Sequence, residues 1–156
     1  MNAFVLTISD TRTEDDDASG DMLVGLLSEF GAVVVNKTIA KDDAEQIRDV
    51  LVENCDSGHI DLIITTGGTG FAPRDVTPEA TRSVIDREVP GIAEAMRRET
   101  AIKTPMAMLS RGVCGIRGMT LIINFPGSPK GVAECFEVVR PVLKHAIDLM
   151  GGRSDH

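Results

Sequence analysis

Three short stretches of this sequence combine residue types that can hold an anion. The first is Ser9-Asp10-Thr11. The second is Thr66-Gly67-Gly68-Thr69-Gly70, continuing through Pro73-Arg74-Asp75-Val76-Thr77-Pro78. The third is Asn124-Phe125-Pro126-Gly127-Ser128-Pro129. Glycines at 67, 68 and 70 let the backbone come close to a ligand and turn several amides toward a negative group. Helices entered at Thr77 and Ser128 would add unsatisfied N–H groups and a partial positive charge. A tight strand-to-helix turn explains the glycines equally well. The loop is no Walker motif, because GxxxxGK[ST] occurs nowhere, and no dinucleotide fingerprint, because Pro73 stands where the third glycine would be.

Two aspartates carry open alternatives. Asp75 reads either as an acid near a helix start, paired with Arg74, or as a carboxylate for Mg²⁺, which takes one or two carboxylates plus phosphate oxygens. Asp42, three residues before Glu45, reads either as a capping box or as a chemical group. His59, His145 and His156 are isolated, with no spacing that suggests a zinc site. Ser110 lacks the GxSxG setting of a nucleophilic hydrolase.

The elements that must position these loops follow from hydrophobic periodicity. Residues 4–8 form a first strand, too short and too poorly flanked by basic residues for a secretion signal. The acidic run Glu14–Asp17 reads as a solvated loop. Ser19 is expected to cap a helix whose apolar face is Met22, Leu23, Leu26, Leu27 and Phe30, closed by Gly31. A strand over 32–39 follows. Asp42 or Asp43 then caps a helix with Ala44, Ile47 and Leu51 on its inner face, and a third strand spans 60–66. A helix is expected from Thr77 to about Glu88, broken by Pro90-Gly91, with helical character resuming over 92–103. Residues 119–125 form another strand, and Ser128-Pro129 opens a C-terminal helix carrying Val132, Phe136, Val139, Leu143, Ile147 and Met150, kinked or divided at Pro141. Strand and helix alternate, which predicts an α/β fold: three layers, a mostly parallel central sheet covered by helices on both faces. One domain over 1–150 and a tail over 151–156 account for the chain.

Charge and cysteines narrow the partners. Acids outnumber bases 24 to 16, a net charge of −8, so phosphate-backbone neutralisation is absent and nucleic acid is excluded as a partner. No apolar run approaches a membrane span. Cys55, Cys114 and Cys135 form no CxxC pair and are expected as buried, reduced thiols, which places the chain in the cytoplasm.

Taken together, Thr66–Gly70, Pro73–Ala80 and Pro126–Pro129 resemble the MoaB/Mog family of molybdopterin-binding proteins. Ser9-Asp10-Thr11, Gly91-Ile92, Leu109-Ser110-Arg111 and Gly115–Gly118 match as well, and the similarity runs from about Phe4 to Met150. It is nearest to the adenylyltransferase domains of gephyrin and its plant counterpart. The resemblance implies transfer of AMP from Mg-ATP to the terminal phosphate of molybdopterin, with Mg²⁺ as cofactor and ATP and molybdopterin as substrates. It implies a homotrimer and a downstream molybdate-insertion protein as partners. Asp42 and Asp75 fall where the family's essential aspartates lie, with Asp75, joined by Asp42, toward the metal. Ser9, Asp10, Thr11, Thr66, Gly67, Gly68, Thr69, Gly70, Thr77, Ser110, Gly127, Ser128 and Pro129 fall around the pterin and nucleotide pocket. Lys41 stands where active members often carry Pro, and Ser128 where Asn is common. Two rival readings are a non-catalytic pterin-binding or carrier protein and the related domain of molybdate insertases, which belongs to longer chains.

Overall fold

The computed structural model describes residues 1–152, so residues 153–156 of the expected tail, with His156, lie outside the described part. A six-stranded sheet has the order β2-β1-β3-β6-β5-β4. Its strands are β1 (Asn2–Ile8), β2 (Val33–Ala40), β3 (Leu62–Thr66), β4 (Arg87–Glu88), β5 (Cys114–Arg117) and β6 (Thr120–Phe125). The pairs β1–β2, β1–β3 and β3–β6 are parallel, whereas β5 runs antiparallel to both of its neighbours.

Alternate residues of each central strand serve opposite faces, as the pleat requires. Ala3, Val5, Leu62, Ile64, Leu121 and Ile123 pack under α1 (Ala18–Phe30), α4 (Pro90–Ala101) and α5 (Pro129–Met150). Phe4, Leu6, Ile8, Ile63 and Ile122 pack under α2 (Ala44–Asp56) and α3 (Thr77–Arg82). The three-layer α/β architecture expected from the alternation is therefore present. The chain leaves β1 to one side for β2 and returns to its other side for β3, so strand order reverses between β1 and β3. Beyond the carboxyl ends of strands at such a point, neighbouring loops diverge and leave a crevice. The loops after β1, β2, β3 and β6 all meet there.

Several local expectations need correction. The N-cap of α1 is Asp17, not Ser19: its side chain accepts the Gly20 N–H at 3.0 Å. Nor is Asp17 solvated. It is fully buried, accepts the Thr7 hydroxyl at 2.7 Å and has Lys37 at 3.6 Å and Arg12 at 3.9 Å. A buried carboxylate persists when hydrogen bonds and cations replace its water, and the loop's other acids give no hint which one is buried. The helix starting at Thr77 ends at Arg82, and residues 87–88 turn into a short strand. Pro90 opens α4 instead of breaking a helix, occupying a first-turn position where a missing N–H costs nothing. Strand β5 escapes the periodicity because it is four residues long and contains Gly115. The C-terminal helix is continuous through Pro141, whose ring lies on the exposed side. Gly31, at φ 93°, terminates α1 as expected. A 3₁₀ helix, Pro105–Leu109, carries Met106 and Met108, both exposed.

All three cysteines are free and buried. Burial pushes the Cys55 thiol up to about 11 and those of Cys114 and Cys135 up to about 12. They are inert apolar filling at neutral pH. Among the described residues no helix is long and apolar enough to cross a membrane.

Asp17 ties β1, α1 and β2 together, so Asp17→Ala is expected to lower stability by about 2–3 kcal/mol, combining loss of a cap with unpaired buried partners. Urea unfolding checks this; a loss below about 0.5 kcal/mol would mean that the buried carboxylate is dispensable.

Candidate active site

The glycine turn after β3 is built by backbone constraints. Gly67 and Gly68 have φ of 105° and 65°, a region that side-chain-bearing residues rarely adopt. A β-carbon on Gly67 would stand 2.4 Å from the Ile8 carbonyl oxygen, and one on Gly68 would stand 2.3 Å from Thr77 Oγ1. Thr77, fully buried, donates its hydroxyl to the Gly67 carbonyl at 2.9 Å and its N–H to that of Gly68 at 3.1 Å. Thr66 donates its hydroxyl to the Pro126 carbonyl at 2.7 Å, and the Gly67 N–H goes to Phe125 at 3.2 Å. Among the described residues the N–H groups of Gly68, Thr69 and Gly70 donate no hydrogen bond.

These three residues line a cavity of about 480 Å³, together with Asp75, Ser110, Gly127 and Ser128. That volume is in the range of small-molecule sites. Seven of the sequence-assigned residues thus converge on one space. Asp42, Thr11, Thr66, Gly67, Thr77 and Pro129 do not line it; Thr66, Gly67 and Thr77 instead hold the turn in shape. Ser9 and Asp10 line a neighbouring depression of about 360 Å³. The Ser9 hydroxyl accepts the N–H groups of Thr11 and Arg12 at 3.2 and 3.1 Å, closing its own loop. Ser128 caps α5 by accepting the Gly131 N–H at 3.1 Å.

The two aspartates flank the turn. A β-carbon on Gly70 would meet Asp75 Oδ2 at 2.8 Å, and one on Gly68 would meet Asp42 Oδ1 at 3.2 Å. Asp75 accepts the Ala72 N–H at 2.9 Å, which fixes its rotamer. The cap of α2 is Asp43, which accepts the Gln46 N–H at 2.8 Å; the Asp42–Glu45 capping box does not form. Asp42 therefore does not cap α2, and its carboxyl instead meets the backbone N–H of Asp10. Burial, and then the charges of Asp10 and Asp75, raise its carboxyl above the ordinary 3.8, a shift that the Asp10 N–H partly offsets. Asp10 is held below that value, chiefly by the hydrogen bond from Arg74. It receives Arg74 Nε at 2.5 Å and the Asp42 N–H at 3.2 Å, so it positions the Asp42 backbone from across the crevice.

Sequence reasoning assigned Arg111 no role of its own and did not single out Arg12. Arg111 donates to the Gly70 carbonyl at 2.7 Å, to that of Asp75 at 2.5 Å and to the Glu79 carboxylate, clamping the glycine turn to the Asp75 loop. Arg12 reaches the Gly127 carbonyl at 2.8 Å and thereby joins the first loop to the third. An arginine between two loops that both bear glycines was the available signal. Asn124 was quoted but given no role: it lines the cavity, and its amide nitrogen donates to the Thr65 and Thr81 hydroxyls at 3.0 Å each.

Among the described residues no group of three or more His, Cys, Asp or Glu could hold a metal ion. Two hard carboxylates beside free amides instead fit a cation that completes its shell with oxygens of a phosphate ligand, as Mg²⁺ does.

A family model described as "Probable molybdopterin binding domain" matches residues 4–145. The Drosophila melanogaster molybdenum cofactor synthesis protein cinnamon is 46% identical over 150 residues; that alignment takes in 94% of this chain, which spans a quarter of cinnamon's length. A molybdopterin adenylyltransferase of Helicobacter pylori strain J99 is 41% identical, with 95% of this chain and 86% of that protein covered. The solved structure of the molybdopterin biosynthesis enzyme MoaB from Thermus thermophilus superposes with a TM-score of 0.90 at 49% identity, covering 97% of this chain and 96% of that one.

The raised Asp42 carboxyl has a thermodynamic signature. A group that holds its proton more tightly when folded makes stability fall as pH rises through and above its ordinary range. Asp42→Asn should therefore leave the melting temperature unchanged well below 3.8, the ordinary value, and raise it at neutral pH. Asp43→Ala should lose about 1 kcal/mol at either pH, because it removes the cap. Thermal melts at two pH values check both. A neutral-pH loss in Asp42→Asn would return a structural role to that side chain.

Proposed function

The chain belongs to the molybdopterin-binding domain family of molybdenum cofactor biosynthesis, and on that premise we propose that it is a molybdopterin adenylyltransferase. One observation carries the reading: Gly68, Thr69 and Gly70, whose N–H groups have no acceptor among the described residues, line a cavity whose glycine wall is flanked by two carboxylates. Free amides suit phosphate oxygens, while paired acids beside them suit a cation shared with those phosphates.

In this reaction a terminal phosphate oxygen of molybdopterin attacks the α-phosphorus of ATP. The bond to the bridging oxygen breaks, and pyrophosphate leaves. Such chemistry depends on positioning and on charge neutralisation more than on covalent help from the protein. The amides of the glycine turn and the start of α5 bind and orient phosphate groups from two sides of the cavity. Asp75 and Asp42 would hold Mg²⁺, which when bound neutralises phosphate charge that this acidic chain has few cations to meet. Arg111 keeps the Asp75 loop against the turn, and the Asp10–Arg74 pair keeps Asp42 at the rim. Buried free thiols suit a cytoplasmic setting. The adenylylated product would pass to a molybdate-insertion protein.

We also propose a homotrimer. Ile102, Met106, Met108 and Leu109 are 81%, 62%, 68% and 44% exposed, and a neighbouring copy would relieve that contact with water. Sedimentation equilibrium at micromolar concentration should give three chain masses; a single chain mass would contradict the assembly.

The function is tested with purified molybdopterin, magnesium and ATP labelled at the α-phosphate. The wild type should form labelled adenylylated pterin and release pyrophosphate. Asp75→Asn should keep the fold and lose at least ~100-fold in rate, as when one key electrostatic group is removed. Pterin binding without any transfer by the wild type would instead mark a carrier.

A further inference from the structure

The cavity has a second half that phosphate binding leaves unused. Away from the glycine turn it runs between α4, the 3₁₀ helix and α5, over Ala93, Met96, Ala107 and Leu109. Ser128, Gly131, Glu134 and Cys135 also line the cavity, spaced so that they share one face of α5. Six residues separate Ser128 from Glu134, roughly 9 Å along the helix at 1.5 Å per residue. A phosphate held between the glycine turn and the start of α5, and a flat ring against apolar side chains about one and a half turns along that helix, would fill the cavity end to end.

Glu134 is the unexplained group in that ring half. Its side chain is only 14% exposed, and its one ionic neighbour is Lys103, at 3.9 Å, beyond hydrogen-bond range. Among the described residues no donor reaches its carboxylate. The nearby cation Arg97 is already committed, to the carbonyls of Gly112 at 2.9 Å and Ser110 at 3.4 Å. No buried side-chain oxygen among the described residues lacks a partner, so the Glu134 oxygens are open rather than orphaned, and in a cavity wall such a carboxylate is an acceptor that a ligand can satisfy.

We propose that Glu134 is the specificity-determining residue for the pterin ring, accepting the 2-amino group and the adjacent ring N–H through its two carboxylate oxygens. This rests on the pterin reading above. The 2-amino-4-oxopyrimidine edge presents two parallel N–H donors, which match a carboxylate as a bidentate pair. Adenine offers an amino group flanked by a ring-nitrogen acceptor, which a carboxylate repels. Glu134 therefore also decides which end of the cavity takes the pterin and leaves the nucleotide to the other side.

The test is a titration, because the chain has no Trp or Tyr and pterin emission is read against a dark protein. The probes are 6-hydroxymethylpterin and its lumazine counterpart, in which an oxo group replaces the 2-amino group. Wild type should bind the pterin at least ~10-fold more tightly than the lumazine. Glu134→Gln, with native circular dichroism, should lose roughly 10- to 100-fold in pterin affinity, the range for hydrogen bonds to a charged group, and should lose the preference. Lys103→Ala should change pterin affinity by less than about 2-fold, since an exposed ion pair contributes little. Equal wild-type binding of the two rings, a preference that persists in Glu134→Gln, or a Lys103→Ala variant that reproduces the loss would each overturn the proposal. Labelled adenylyl transfer by the wild type separates the two levels. Transfer with unaltered pterin affinity in Glu134→Gln sinks this inference alone, whereas ring preference without transfer sinks the adenylyltransferase reading alone.

Discussion

The close approach of the Gly67–Gly68 backbone to the end of β1 is the constraint on which the rest of the site depends. Two consecutive residues at positive φ fold the chain back so that Gly67 sits against the Ile8 carbonyl and Gly68 against Thr77. No β-carbon fits at either place. With the turn fixed this way, its carbonyls point inward to Thr77 while the N–H groups of the next residues are left without acceptors. A buried threonine hydroxyl and two strand-end carbonyls thus determine where an anion can bind.

Charge is distributed around that turn with a clear division of labour. The arginines that approach it do not face the cavity as free cations. Arg111 is used on carbonyls and Glu79, Arg74 on Asp10, and Arg12 on Gly127 and Ser19. Each joins two loops and stiffens the crevice. The carboxylates of Asp42 and Asp75 remain beside the turn, Asp42 in a setting that disfavours its charge. A folded protein tolerates such a local penalty where function requires it. An incoming cation with phosphate oxygens would convert that penalty into attraction.

The layers and the ligand edge were legible because they follow from repetition. Alternation in β1, β3 and β6 and the three-four spacing in α5 encode which side chains meet the core, and the loops between them had to fall at one edge. What stayed hidden depended on single contacts. Nothing local distinguishes Asp17 from Asp15 or Asp16, since its burial depends on Thr7 of β1 and Lys37 of β2, which only the fold brings to it. Asp42 and Asp43 are both acceptable caps by type, and the geometry of the turn after β2 selects Asp43. Arg111 lies 36 residues from Asp75, so its clamp exists only once β5 and β6 bring the loops together. Nothing local sets Glu134 apart from Glu137 on the same helix, and only the meeting of α4, the 3₁₀ helix and α5 places it in the cavity wall. Strand β5, with Gly115 packed against Ile85, carries no alternation long enough to read.

The most direct measurement is molybdopterin emission titrated against Gly68→Ala, alongside its far-ultraviolet circular dichroism. A single methyl group at φ 65°, 2.3 Å from Thr77 Oγ1, must displace either the turn or the threonine that holds it. The sheet and helices rest on contacts elsewhere, so the account predicts native dichroism with saturable pterin binding lost or weakened by at least ~10-fold, the effect of losing one or two hydrogen bonds to a charged ligand. Native dichroism with full pterin affinity would contradict it, because the ligand would then be held without the turn.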